Sequence, residues 1–563
     1  MTLKVFKNSI LKKIIFILGL LVLGLFFLIP QNLYSEETGF KYFRNYTYVE
    51  YDHYPQNWGM AQAKDGIIYV ANQAGVLIYD GAYWRVLGIP DYTTVRSLAI
   101  DDIGTVFIGG DGEIGYLAPN EKGFLRYVSL MDRLQDDQRD FSPVWRTHAT
   151  GEGIYFGSYE FLFRWNPKHK EMKVWECEPD HRFLYSFVIN GRFFIHQENV
   201  GLMEMVNDSL KLVPGGEIFA DSQERIFMIV PYDTDKDNQR LLVGTRSKGF
   251  YLYDEKTMKP FPTELAGYLK KKIAYHGTRL SSGDFAMATR YGGLIIMDSN
   301  GRQRYIYDKK SGLQDDNVKY VFQDSQGNLW LCLEKGISKI EYVSPISIHD
   351  ERSGLPGLVM SVVRHNNDLY VGTTKGLYSF ESTFKFRLAA GMSISCWSLL
   401  PVEDSILAAT SSGVFQVDNK NNTKRKVITD ISHVLLRSGH HPARTWCGTR
   451  DRLVALAKEN GRWIEEHRFE NINHEIWSIV EDKDGNVWLG TKKEGALKVE
   501  FSGDIKHPVV RRYDKSHELP DGEIYVARAA GHVIFATANG IFRYDKKKEK
   551  FVADLTLGDK FAG

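Results

Sequence analysis

From about residue 57 the chain repeats one pattern of polar and apolar positions. A turn containing Asp, Gly or Asn leads into an apolar run that often ends Gly-Thr. A short link, usually with Gly, then opens a second apolar run. "DGIIYVANQAGVLIYD", "NQRLLVGTRSKGFYLYD", "QGNLWLCLEKGISKIE" and "EDKDGNVWLGTKKEGALKVE" are four of twelve such copies. Their link positions are Gly75, Gly115, Phe161, Gly201, Gly249, Gly293, Gly336, Gly376, Gly413, Arg452, Gly495 and Gly540, spaced 37 to 48 residues apart. Within a copy the apolar residues are nearly continuous, as in strands covered on both faces. Period-3.6 patterning is absent over any long window outside the N-terminus. A period of about 40–50 residues with several short strands per unit predicts β-propeller blades, whereas stacked sandwich domains would need units of about 100 residues.

Twelve blades exceed one ordinary ring of about four to eight, so the expected fold is all-β, with tandem β-propellers. Seven copies end near Glu341, which places a first propeller at 40–345. "GFKYFRNYTYVEYDHYP" before the first copy holds a spare strand able to complete that ring's last blade. The stretch "YVSPISIHDERSGLPG" reads as a junction, and five copies at 346–563 form a second propeller, expected to be a seven-bladed ring truncated in this chain. At the start, Lys4, Lys7, Lys12 and Lys13 precede an uncharged apolar run from Ile14 to Ile29, ended by Pro30. Residues 1–35 are therefore read as a signal peptide or signal-anchor helix, and the remainder as exported, on the periplasmic or extracytoplasmic side.

Lys+Arg 71 against Asp+Glu 70 gives a net charge of +1, which supplies no electrostatic case for nucleic acid. Aromatics at 13% and 50 glycines against 17 prolines suit a turn-dense β protein. Cys177, Cys332, Cys396 and Cys447 lie far apart, with no C-x-x-C, and are read as small buried hydrophobes. Asp482, Asp484 and Asn486 imitate the first half of a calcium loop. That loop requires Gly at its sixth position and Glu at its twelfth, where this chain has Val487 and Lys493. A tight turn is the expected reading. His440 and His441 are adjacent, too close in sequence to share one ion from a strand. No metal and no cofactor are expected.

The pattern D-x-x-G-N-[LV]-W-L-x-x-x-x-x-G-[IA]-x-K-[IV]-E at 324–341 and 482–500 resembles the two-component regulator propeller repeat. So do "SGLQDDNV", "SGLPGLVM" and "HELPDGEI", and the first blade, "NWGMAQAKDGIIYVANQAGVLIYDGAYW", at 57–84. The resemblance spans the chain from about residue 40. It implies two seven-bladed propellers followed by an Ig-like domain with three tyrosines, a membrane helix and an output module such as a kinase or cyclase. It also implies a sensor rather than an enzyme.

In a propeller the first residue of each innermost strand reaches the channel mouth. Counting back from each turn selects Trp58, Arg96, Trp145, Tyr185, Tyr275 and Tyr320 in the first ring, and Met360, Trp397, Trp477 and Tyr525 in the second. Eight of these ten are aromatic. Either they pack against neighbouring blades, or their faces stack on a ligand while Arg96, Arg146, His148 and Lys319 supply hydrogen bonds. No matched carboxylate pair, G-x-S-x-G, H-E-x-x-H or phosphate-binding loop occurs. The expected function is a ligand-sensing domain of a transmembrane regulator, acting as a homodimer. Its ligand would be a small molecule or oligosaccharide, and its membrane link the N-terminal segment or a C-terminal helix beyond this sequence. The alternatives are a propeller lyase or glycosidase, and a protein-binding scaffold.

Overall fold

The computed structural model describes residues 38–90, 93–233, 240–381 and 385–562. The expected signal or anchor segment, 1–35, lies outside them. Among the described residues no helix is long and apolar enough to cross a membrane.

The twelve repeats are twelve four-stranded antiparallel sheets. They fall into two compact units, Phe40–Ile348 with seven blades and His349–Gly563 with five. In blades 1–7 the inner strands are Asn57–Gln62, Val95–Ile100, Arg146–Thr150, Phe183–Ile189, Ile226–Pro231, Ala274–Arg279 and Val318–Gln323. In blades 8–12 they are Val359–His365, Cys396–Val402, Ser432–Arg437, Ile476–Glu481 and Tyr525–Ala529.

Second strands such as Leu329–Leu333 and Val487–Thr491 are buried at every residue. Both faces are covered because each sheet is sandwiched by its neighbours. Leu329 and Leu331 of blade 7, for example, share a core with Ala286, Ala288 and Leu294 of blade 6. Burial at roughly 25 cal/mol per Å² of apolar surface makes these inter-blade cores the main stabilising term. The link glycines are set by close approach. Gly293 and Gly413 have φ of +73° and +115°, and a Cβ on either would lie 2.0 Å from a carbonyl oxygen of its blade's outer strand, Tyr307 and Ile428 respectively. The two copies without a link glycine have Phe161 and Arg452 there, and neither has a positive φ.

The seven-bladed ring is closed twice. The inner strand of blade 7 packs against that of blade 1, and Phe43–Tyr46 adds to blade 7 as its fourth strand, pairing Phe43 with Ile340 and Tyr46 with Ile337. Side chains lock that strand in place: Asn45 Nδ2 donates to Gly312 O at 3.0 Å, and Ser338 Oγ donates to Asn45 at 2.6 Å. In the five-bladed unit, inner strands pack in succession from blade 8 to blade 12.

The acidic turn is a structural device. Asp482 accepts hydrogen bonds from Asp484 N (2.9 Å), Asn486 N (3.0 Å) and the Trp488 indole (3.1 Å). Burial pushes its carboxyl up, but the donors of Asn486 and Trp488 outweigh this and hold it below the usual range. Asp324 repeats the arrangement with Asn328 N (2.8 Å) and Trp330 (2.9 Å). The carboxylate ties the turn to the tryptophan six residues on, which is why Asp and Trp recur together.

Candidate functional site: the channel mouths and the axial cavity

In ten of the twelve blades the inner strand carries a β-bulge at its start, where two of its residues oppose one on the next strand. A bulge leaves one residue out of the ladder and re-aims its side chain. In the first unit the bulges fall at Trp58, Arg96, Tyr185, Phe227, Tyr275 and Lys319. Trp145 occupies the corresponding place in blade 3, where its N–H donates to Gly157 O at 3.1 Å.

All of these but Phe227, which is buried in the core between blades 5 and 6, form a layer around one mouth. The Arg96 guanidinium lies 4.2 Å from the ring centre of Trp58 and 5.3 Å from that of Trp145, and the two indoles are 5.9 Å apart. Arg96 is held by a bidentate pair with Asp111 at 2.7 and 2.8 Å. Lys319 Nζ sits 3.3 Å over Trp58 and pairs with Glu334 at 2.8 Å. Burial lowers its pKa, partly offset by Glu334. Across the mouth, Arg146 lies 4.6 Å over Tyr185, which meets Tyr275 edge-on at 6.3 Å. Burial pushes the Tyr275 hydroxyl far up.

Beneath this layer the channel opens into an axial cavity of about 510 Å³. Arg96, Arg146, His148, His276, Arg279 and Tyr320 are in its wall. His148 Nε2 meets Ser186 O at 3.0 Å, and burial together with Arg146 holds its pKa down to about 4. His276 stacks on Tyr320 at 4.0 Å. Tyr320, chosen from sequence as a mouth residue, is therefore one position too far along: Lys319 is the bulged residue and Tyr320 lines the cavity.

In the second unit the bulges fall at Met360, Trp397, His433 and Trp477. His433 stacks on Trp477 at 4.2 Å and 6°, Trp397 meets His433 at 4.9 Å, and Lys492 Nζ is 5.5 Å over Trp477. Tyr525 stands apart from this cluster: its strand has no bulge, its side chain is 43% exposed, and its hydroxyl donates to Glu523 at 3.0 Å. The count back from the turns selected no residue in blade 10, so His433 was not among the expected positions. Its place just after Ser432, matching Trp397 after Cys396 and Trp477 after Ile476, was the available signal.

The fold is thus that of an all-β protein of the β-propeller class. Residues 472–493 match the family described as "Two component regulator propeller", so the chain carries that repeat, in agreement with the resemblance noted above. Among solved structures, the chain is similar to the extracellular domain of a hybrid two component system from B. thetaiotaomicron, with TM-score 0.68 and 16% identity, covering 91% of this chain and 72% of that one. Another such domain, from a one component system of B. thetaiotaomicron, matches at TM-score 0.42 and 16% identity over 91% of this chain and 73% of that one. A virginiamycin B lyase from Staphylococcus aureus matches at TM-score 0.39 and 13% identity over 53% of this chain and 98% of its own. No curated protein matches the sequence.

Proposed function

We propose that this chain is the extracytoplasmic ligand-sensing part of a two-component-type transmembrane regulator, and that its ligand, an oligosaccharide, docks on the mouth of the Phe40–Ile348 ring. The observation that carries the reading is the layer of Trp58, Arg96, Trp145, Tyr185, Tyr275 and Lys319, all but Trp145 set by a bulge. It presents flat apolar faces interleaved with cations around one opening, the combination that recognises sugar rings bearing hydroxyl groups. The family of the repeat and the basic, apolar N-terminus support the sensor role and the export. Ligand binding would change the pairing of two copies and so pass a signal toward the membrane.

The test is a glycan panel read by thermal shift, sedimentation and product analysis. A saturable shift without chain cleavage is the expected result, and cleavage of any glycan would replace the sensor by a lyase or glycosidase. Trp58→Ala should abolish the shift while lowering the unmodified protein's Tm by only a few degrees. A variant that unfolds would make Trp58 a packing residue only.

A further inference from the structure

Three arginines and two histidines line the axial cavity of the Phe40–Ile348 ring, and among the described residues no Asp or Glu does. Arg96 is bound by Asp111. Arg279 donates to Asp233 O at 3.0 Å, although its Nε is buried without a partner among the described residues. Arg146 is the least satisfied of the three. Among the described residues its side chain makes one hydrogen bond, a long one of 3.3 Å from Nη1 to Trp145 O, and its Nη2 is buried without a partner. It has no ion pair with a described residue. A desolvated guanidinium without an anion is costly, because cation–π contact with Tyr185 replaces only part of its hydration.

Two further donors face the same space. His276 Nδ1 accepts from Val321 N at 3.3 Å, which places the ring proton on Nε2. That Nε2–H has no partner among the described residues. Tyr320 lies between the two, 4.0 Å from His276 and 6.0 Å from Arg146, and its hydroxyl likewise makes no hydrogen bond to a described residue. Burial and Arg146 keep the His276 imidazole neutral, well below its ordinary range, so it offers a single fixed donor.

We propose that Arg146, His276 and Tyr320 form a binding site for a small oxyanion group, a carboxylate or a sulfate, inside this axial cavity. The guanidinium supplies charge and a planar pair of donors, a geometry that fits a two-oxygen anion. The imidazole N–H and the phenol supply two more hydrogen bonds. A cavity of about 510 Å³ lies in the range that holds a small organic ligand, so the anion can be free or the acid group of a larger molecule. The site does not depend on the mouth binding a sugar.

Isothermal titration of the full chain at constant ionic strength tests this with three probes: sulfate, succinate and neutral succinamide. One-site saturable binding of sulfate or succinate, and none of succinamide, is expected. Tighter binding of sulfate would mark a free inorganic oxyanion, and tighter binding of succinate the acid group of an organic ligand. Arg146→Gln should weaken binding at least tenfold, and Tyr320→Phe severalfold, while Arg164→Gln on an outer strand leaves it unchanged. Should Arg146→Gln fail to fold, Arg146→Lys and Tyr320→Phe decide the matter. Unchanged affinity in the folded Arg146 variant, equal binding of succinamide, or no binding of either anion to the unmodified chain overturns the site.

Discussion

Trp58, Arg96, Tyr275, Lys319, Trp397, His433 and Trp477 share one backbone feature, a bulge that leaves one residue of the strand unpaired. The side chain therefore leaves the alternating in–out order of the strand and turns into the channel mouth. The neighbouring second strands instead hold residues such as Val70 and Leu331, wholly buried between blades. Residue chemistry at the blade's other end is fixed as firmly. Asp324 is 7% exposed yet carries a full set of donors from Gln326, Asn328 and Trp330. Asp324→Ala removes all of these acceptors and strands the Trp330 indole N–H, at a cost of about 1–3 kcal/mol. Urea unfolding should show that loss, and Asp482→Ala a smaller one because its turn is more exposed. Added calcium should not raise the Tm of the unmodified chain through this turn, since Asp482 already accepts bonds from Asp484, Asn486 and Trp488. A calcium-dependent rise lost in Asp482→Ala would make the turn a metal site.

At the scale of elements, the blade period and its number were legible because the turn-strand-link-strand unit repeats its physics each time. Continuous burial of the second strands, link glycines held against a carbonyl, and the Asp–Trp tie each leave a sequence trace. The spare strand before blade 1 was legible for the same reason, as a fourth strand lacking a blade of its own. The mouth layer was legible only in part. Counting from the turn found Trp58, Arg96 and Trp397 but chose Tyr320 over Lys319 and passed over His433. The reason is that a bulge shifts register by one residue, and it is fixed by pairing across strands rather than by any local motif. The unpartnered state of Arg146 was not legible at all, because it depends on which carboxylates the other blades bring near. The ring-closing strand gives an element-level prediction. Tyr46 is 5% exposed, stacks on Trp330 at 5.7 Å and bonds Tyr79 at 3.2 Å, so it ties blade 7 to blade 1. Tyr46→Ala should cost about 3–5 kcal/mol, as for other large buried aromatics. Removing residues up to 50 should also broaden the unfolding transition. A sharp transition at an unchanged Tm would mean that the inner-strand contact alone closes the ring.

For the molecule as a whole, the two units solve the covering of blade faces differently. In the seven-bladed unit every inner strand has a neighbour on both sides. In the five-bladed unit, blade 8 leaves Leu358, Val359 and Val362 at least half exposed. The closed ring also concentrates neutral histidines. Burial holds His148 and His196 at about 4, and holds His276 well below its ordinary range, against an ordinary value near 6.5. The sign follows from proton binding. Between pH 6.5 and 4 the unfolded chain takes up protons on these rings that the folded chain does not. Stability therefore falls as pH drops through that window and is unaffected above it. Carboxylates with lowered values, such as Glu334 and Asp482, act at lower pH, so the two effects separate. From pH 7 to pH 5, His148 and His196 should each cost about 1–2 kcal/mol of unfolding free energy. Urea titrations at the two pH values measure it. The double variant His148→Gln, His196→Gln should lose most of the pH 7-to-5 difference while remaining folded at pH 7. An undiminished difference in that variant would assign the acid sensitivity to other groups.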